Sequence, residues 1–153
     1  MAVNGHYIAS LCMINVVIFS PMSDDVKRVL EQQSDIVLSD VQPGVLDDVL
    51  GQVGSQHPDI FVITQDSEHL NGDILCHFLS KHYPAAQSLI LIDEEPNFDM
   101  LRNSGFKARG YIVKQQKMDI DKAVRAVHSG EAWLPRKLVA EMLNRFEAQT
   151  ILS

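Results

Sequence analysis

The polar side chains best suited to binding or catalysis lie at or just after the ends of apolar runs. These are Asp66, Asp93 and Lys114. If the runs are parallel strands, their carboxyl ends meet at one edge of a sheet, where such sheets usually bind ligands. Carboxylates at that edge can hold a divalent cation, and an aspartate beside a lysine can form an ion pair.

Other kinds of chemical site are not indicated. The histidines have no metal-ligand spacing, and Cys76 and His77 are adjacent, so they point to different faces of a helix. There is no glycine-rich phosphate loop, no G-x-S-x-G motif and no Cys/His pair in a recognisable context. We therefore expect no catalytic residues, no metal and no enzymatic activity.

The elements that position these residues follow from hydrophobic periodicity. Short apolar runs rich in β-branched residues alternate with segments of helical spacing, such as Val26, Val29 and Leu30. This alternation, five times over, predicts an α/β fold: a doubly wound parallel sheet with helices on both faces and right-handed crossovers. The strands are predicted at 14–19, 36–41 (the weakest), 59–63, 88–92 and 110–113.

A further helix is predicted near the C-terminus. Gly130 ends the fifth helix, and Pro135 suits the first turn of the next one, where its missing N–H costs little. An apolar stripe then follows along one face of this helix, formed by Leu134, Leu138, Met142 and Phe146.

Two segments, "ARGYIVK" (108–114) and "AVRAVHSGEAWLPRKLVAEML" (123–143), resemble the receiver domain of NarL/LuxR-type response regulators. The resemblance covers roughly residues 13–147. It implies a flavodoxin-like receiver fold with a five-stranded sheet in the order 2-1-3-4-5 and an additional C-terminal helix. We interpret residues 1–12 as an N-terminal extension and 13–132 as the receiver-like domain. Residues 133–147 would form the additional helix, and 148–153 would begin a linker.

The resemblance also identifies a phosphoacceptor pocket that is degenerate in this sequence. In the family, an acidic pair and an acceptor aspartate hold a divalent metal, and a hydroxyl and a lysine contact the phosphoryl group. Ser20 and Pro21 stand where the acidic pair belongs, Thr64 stands at the acceptor position, and Asp93 stands at the hydroxyl position. Only Lys114 matches.

Nearby residues are poor substitutes for the missing groups. Asp66 lies two residues past the acceptor position, and this shift moves an extended chain by roughly 6–7 Å. Thr64 would have to react through an alkoxide, which is a far poorer acceptor than a carboxylate. Asp93 would repel a phosphoryl group, and its side chain would either form an ion pair with Lys114 or point outward. We expect a receiver shape that has lost phosphoryl chemistry, with Asp66 as acceptor remaining an alternative.

The motif "WLPR" (133–136) raises a second alternative. Some relatives that lack the phosphorylation residues dimerise around cyclic di-GMP through a Trp–apolar–Thr/Ser–Arg motif at the start of the last helix. By that resemblance, Trp133 would stack on guanine and Arg136 would hold a phosphate. Pro135 departs from the motif, and the other interpretation is that Trp133 simply packs at the start of the helix.

Composition limits the class of protein and its partners. The formal net charge is −7, which argues against a bare nucleic-acid-binding domain. Two cysteines form no disulfide framework and fit the cytoplasm, and no apolar run is long enough for a membrane span.

We expect a phosphorylation-independent regulatory and dimerisation module of a LuxR-type transcription regulator. Its expected partner is a second copy, through the last helix and Trp133 or through the fourth helix, fifth strand and fifth helix. A histidine kinase is not an expected partner, and DNA would be bound only by a helix-turn-helix domain outside this chain.

Overall fold

Five parallel strands form the centre of the protein. The computed structural model describes residues 13–42, 46–66 and 70–152, with side chains described through residue 150. The strand order is β2-β1-β3-β4-β5, which confirms the predicted fold class and strand order. The strands are β1 (Ile14–Phe19), β2 (Ile36–Val41), β3 (Ile60–Thr64), β4 (Gln87–Ile92) and β5 (Ala108–Val113).

Helices cover both faces of the sheet. None of the described helices is long and apolar enough to cross a membrane. A 3₁₀ helix, Lys114–Asp119, follows β5. The α-helices are α1 (Asp24–Glu31), α2 (Leu46–Gly54), α3 (Gly72–His82), α4 (Phe98–Asn103), α5 (Ile120–His128) and α6 (Arg136–Leu152). Because α4 has only six residues, it is too short for apolar periodicity to have located it.

The core consists of two layers, one on each face of the sheet. Alternate residues of a strand point to opposite faces, so Val16 and Ile18 pack in one layer while Val17 and Phe19 pack in the other. The first layer is closed by α1 and α5, and the second by α2, α3, α4 and α6. Strands buried on both faces explain the continuous apolar runs in the sequence.

The last helix is longer than expected. It begins at Arg136 and continues through Leu152, so residues 148–152, predicted to begin a linker, are helical. Of the predicted stripe, Leu138 is buried, and Leu134 and Met142 are partly buried against the second layer. Phe146 is 46% exposed, so it lies at the edge of the packed face. The predicted extension 1–12 and Ser153 lie outside the described residues.

The segment before α6 is attached to the edge of the sheet. The Trp133 N–H donates to the Arg109 carbonyl, and the Tyr111 N–H donates to the Trp133 carbonyl, both at 2.9 Å. These two bonds make a parallel bridge between Gly110 and Trp133. A Cβ at Gly110 would lie 2.9 Å from the Trp133 Cβ, so the absence of a side chain allows this close approach.

Candidate functional site

The residues that follow the strands meet at the carboxyl edge of the sheet, as predicted. Thr64 pairs with Leu91 in the register of β3 and β4, and Ile92 pairs with Val113 in that of β4 and β5. Asp93 and Lys114 directly follow the last two strands. The sequence therefore located this edge correctly.

A cavity of about 330 Å³, here called the edge cavity, opens between the β1–α1 loop and the ends of β3 and β4. It brings together four of the residues predicted for the degenerate pocket, namely Pro21, Thr64, Asp66 and Asp93. Asp66 and Asp93 are exposed and Thr64 is half-buried. The other residues that line the cavity are Met22, Ser23, Leu91 and Lys117.

Ser20 points away from the edge cavity. Its hydroxyl donates to Asp40 Oδ1 at 2.6 Å, and Lys27 Nζ lies 3.4 Å from the other carboxylate oxygen of Asp40. Sequence reasoning missed Asp40, which lies in the weakly predicted strand β2. The Ser20 hydroxyl therefore has a hydrogen-bond partner within the domain. The resemblance implies an acidic residue at this position.

Lys117, rather than Lys114, is the lysine that lines the edge cavity. Lys114 is exposed and begins the 3₁₀ helix, and Lys117 lies one 3₁₀ turn further on. Of the two alternatives for Asp93, the ion pair with Lys114 is not formed: across the described ranges, neither residue takes part in an ion pair, and Asp93 is exposed. Lys117 could have been identified from the three-residue spacing of a 3₁₀ helix that begins at Lys114, but this helix was not predicted from the sequence.

The edge cavity does not fit the divalent metal that the receiver fold implies. Within the described part of the chain, no three histidine, cysteine, aspartate or glutamate residues are placed to hold a metal ion. The cavity holds two carboxylates, from Asp66 and Asp93, and Pro21 stands where an acidic ligand belongs. A hard divalent cation needs several oxygen ligands, so the donor set is insufficient.

Hydrogen bonds to Gln65 join the end of β3 to the start of α3. Gln65 is buried; its side-chain oxygen accepts from the Asp73 N–H at 3.0 Å, and its carbonyl accepts from the Gly72 N–H at 2.9 Å. A Cβ at Gly72 would lie 2.8 Å from both the Gln65 Cα and the Thr64 carbonyl oxygen. This contact explains why a glycine follows Thr64 by eight residues. Nothing in the sequence distinguished Gln65 from an ordinary loop residue.

Trp133 lies beside a second cavity of about 430 Å³, here called the tryptophan cavity. The ring is half-buried against the first core layer, and its Nε1–H donates to Gln116 Oε1 at 3.4 Å. Three carboxylates line the same cavity, from Asp93, Glu94 and Glu95. Arg136 is exposed at the start of α6 and does not line it. An acid-lined cavity disfavours an anionic dinucleotide.

Solved structures that are similar to this chain include receiver domains of response regulators. The isolated receiver domain of RcsB from Salmonella enterica serovar Typhimurium, with the phosphomimetic BeF3−, has a TM-score of 0.66 and 16% identity over 84% of this chain and 97% of that chain. The non-phosphorylated receiver domain of RcsB from Escherichia coli has a TM-score of 0.66 and 17% identity over 81% and 99%. A LuxR-family two-component response regulator from Aurantimonas sp. SI85-9A1 has a TM-score of 0.70 and 15% identity over 87% and 97%.

The chain therefore has the receiver fold of response regulators, as "ARGYIVK" and the segment around Trp133 predicted. No protein-family model and no curated protein matches the sequence. At this level of identity the likeness shows the fold alone, so the function has to be argued from the chemistry of the site.

Proposed function

We propose that this domain is a regulatory receiver that works without phosphorylation, as a dimerising module of a LuxR-type transcription regulator. The observation that supports this most strongly is the composition of the edge cavity. It contains Thr64 at the acceptor position and Pro21 at an acidic position, and an added carboxylate, Asp93, at the hydroxyl position. Its role is regulatory rather than enzymatic.

Electrostatics explains why phosphoryl transfer is disfavoured here. A phosphoryl group entering the edge cavity would meet two carboxylates, Asp66 and Asp93, and one cation, Lys117. In the phosphorylating members of the family, a metal ion neutralises the incoming charge, and this donor set does not hold one. Among the described residues that line the edge cavity, Asp66 is the carboxylate that follows β3, so it is the residue to examine if phosphorylation does occur.

The outer face of α6 supports the dimerisation part of the proposal. Val139, Leu143 and Phe146 are 38%, 62% and 46% exposed, and they form an apolar stripe along α6 beside the face that packs on the core. Exposed Ala140 lies beside them. The spacing is typical of a helix–helix seam. We propose that a second copy of the chain covers this stripe by twofold symmetry.

Charge complementarity favours an antiparallel pairing of the two α6 helices. Arg136 and Glu147 lie on the same outer face as Leu143, near opposite ends of the helix. In an antiparallel pair centred between residues 141 and 142, Arg136 of one protomer faces Glu147 of the other, and Leu143 faces the small Ala140. A parallel pair would instead place like charges together, which is destabilising.

The alternative dimer surface receives less support. Its cations on α5 are Lys122 and Arg125, and Arg125 is already bound within the domain by Asp35 and Asp121. Lys122 pairs with Asp119 at 3.5 Å. These contacts already engage both cations within the domain.

Leu143→Glu is expected to weaken self-association by at least about tenfold, because a charge would be buried at the centre of the seam. Sedimentation velocity over a range of concentrations measures this change. Ile74→Glu is the matched control, since Ile74 is an apolar residue of α3 that is 43% exposed. Arg136→Glu should also weaken the dimer, and adding Glu147→Arg should restore it.

A wild-type chain that stays monomeric at all concentrations would contradict the dimer. Cyclic di-GMP is included as a separate arm of the experiment. A dimer that forms only in its presence, and is lost in Trp133→Ala, would favour the ligand-dependent alternative based on "WLPR".

DNA binding is proposed only through a separate domain. One of the similar solved structures is a complex of RcsB with DNA. That complex describes RcsB and does not by itself assign DNA binding to the present chain. The present chain carries a formal charge of −7, which does not suit direct contact with phosphates.

A further inference from the structure

A third cavity lies between α6 and the α4–β5 region. It has a volume of about 730 Å³ and is here called the arginine groove. Its floor is apolar and includes Phe98, Leu101 and Met142. Phe106 and Phe146 stand at its rims, each 46% exposed. A partly open apolar groove of this volume is in the range of small-molecule sites.

The charge of the arginine groove is opposite to that of the whole chain. Arg102, Arg109 and Arg145 line it, and among its described lining residues none is acidic. The chain as a whole carries −7, and three carboxylates line the neighbouring tryptophan cavity. The groove is therefore a local cationic region on an acidic protein.

The arginines are held by contacts that leave donors for a ligand. The guanidinium groups of Arg102 and Arg145 lie 5.4 and 5.0 Å from the Phe98 ring centroid, which orients both along the groove. Arg102 pairs with Asp99 at 3.1 Å and Arg145 with Glu141 at 3.9 Å, and both are exposed ion pairs, which hold their partners weakly. Arg109 donates to Gln87 Oε1 at 3.2 Å and forms no ion pair with a described carboxylate.

The rim residue Phe106 has an unusual backbone. Its φ is +59°, which is uncommon for a bulky residue and costs about 1–3 kcal/mol. The ring stays on the groove through a contact with Phe98, with centroids 5.7 Å apart. The fold thus maintains an exposed aromatic side chain at the groove in a strained conformation, a feature that occurs more often at functional sites.

We propose that the arginine groove binds a small amphipathic anion, namely a carboxylate, phosphate or sulfonate attached to an apolar or aromatic body. The planar guanidinium groups match such anions with paired hydrogen bonds. The phenyl rings and Met142 would contact the apolar body. This site is separate from the edge cavity and does not depend on the dimer, although Phe146 belongs to both the groove and the α6 stripe.

The probe is 8-anilinonaphthalene-1-sulfonate, which combines an aromatic body with an anionic group. Titration of the intact chain, followed by probe fluorescence, is expected to show one saturable site. Arg109→Gln combined with Arg145→Gln should weaken binding at least about tenfold. The matched control is Arg28→Gln combined with Lys81→Gln, which removes the same charge from exposed positions on α1 and α3 and should leave binding unchanged.

Competition separates a charge-specific site from general apolar binding. Decanoate should displace the probe, and decylamine of the same chain length should not. Unsaturable binding, equal binding by the double arginine variant, or equal displacement by decylamine would overturn the proposal. A thermal melt of each variant checks that it is folded. Leu143→Glu should still bind the probe, so failure of the dimer and failure of the groove are distinguishable.

Discussion

Gly110→Val is expected to destabilise the domain by about 2–3 kcal/mol, because the site has no space for a side chain. The first added carbon alone would lie 2.5 Å from Leu89 Cδ2 and 3.0 Å from the Trp133 carbonyl oxygen. Leu89 is fully buried, so the Trp133 segment has to move instead. That movement breaks the two 2.9 Å hydrogen bonds that attach the segment to β5.

Urea unfolding measures the free-energy difference for this variant. Gly51→Ala is the matched control, since Gly51 lies within α2 and nothing is within 4 Å of its added Cβ. Alanine favours a helix more than glycine does, so the control should be stabilised by roughly 0.5–1 kcal/mol. A Gly110→Val protein as stable as the wild type would show that Trp133 is not held as described.

Arg125→Ala is expected to lower the free energy of unfolding by about 1–2 kcal/mol at neutral pH. The value allows for the partial exposure of the Arg125 side chain. Arg125 Nε and Nη2 donate to both oxygens of Asp35 at 2.9 Å, and Nη1 donates to Asp121 at 2.9 Å. Nη2 also donates to Gln33 at 2.7 Å. The guanidinium thereby joins α5 to the connection between α1 and β2. Arg28→Ala, which removes an exposed pair with Asp25, should cost less than about 0.5 kcal/mol.

The pH dependence of this pair has a defined sign. Hydrogen bonds from Arg125 lower the pKa of Asp35 below its ordinary value. The folded protein therefore binds a proton at Asp35 less readily than the unfolded chain, so the contribution is present at neutral pH and is lost as pH falls through the lowered pKa. The stability difference between wild type and Arg125→Ala should shrink in acid, and a difference that grew in acid would contradict the network.

The centre of the sheet was predictable from the sequence because β1, β3 and β4 are buried on both faces and so read as apolar runs. Ile36–Val41 was recognised even though it is an edge strand, whereas a fourth helix was expected but its residues, Phe98–Asn103, were not located. A six-residue helix has too few residues for periodicity to be visible. The end of α6 was also missed, because Ala148, Gln149 and Thr150 are exposed and do not continue the apolar stripe.

The candidate site was predictable in position but not in detail. Motif spacing located Thr64, Asp93 and Lys114 at the carboxyl edge. The 3₁₀ helix that brings Lys117 to the edge cavity, and the hydrogen bond that turns Ser20 toward Asp40, depend on local backbone geometry. The arginine groove joins residues of α4 and α6 that are about forty positions apart in the chain, so no local pattern marked it.

Phosphorylation in solution tests the central claim most directly. The intact chain is incubated with acetyl phosphate and Mg²⁺, and its mass is measured by mass spectrometry under conditions that preserve acyl phosphates. The account predicts no phosphoryl addition, because Ser20, Pro21 and Thr64 replace the groups that the reaction needs. A stable addition of one phosphoryl group that disappears in Asp66→Asn would contradict it and establish Asp66 as the acceptor.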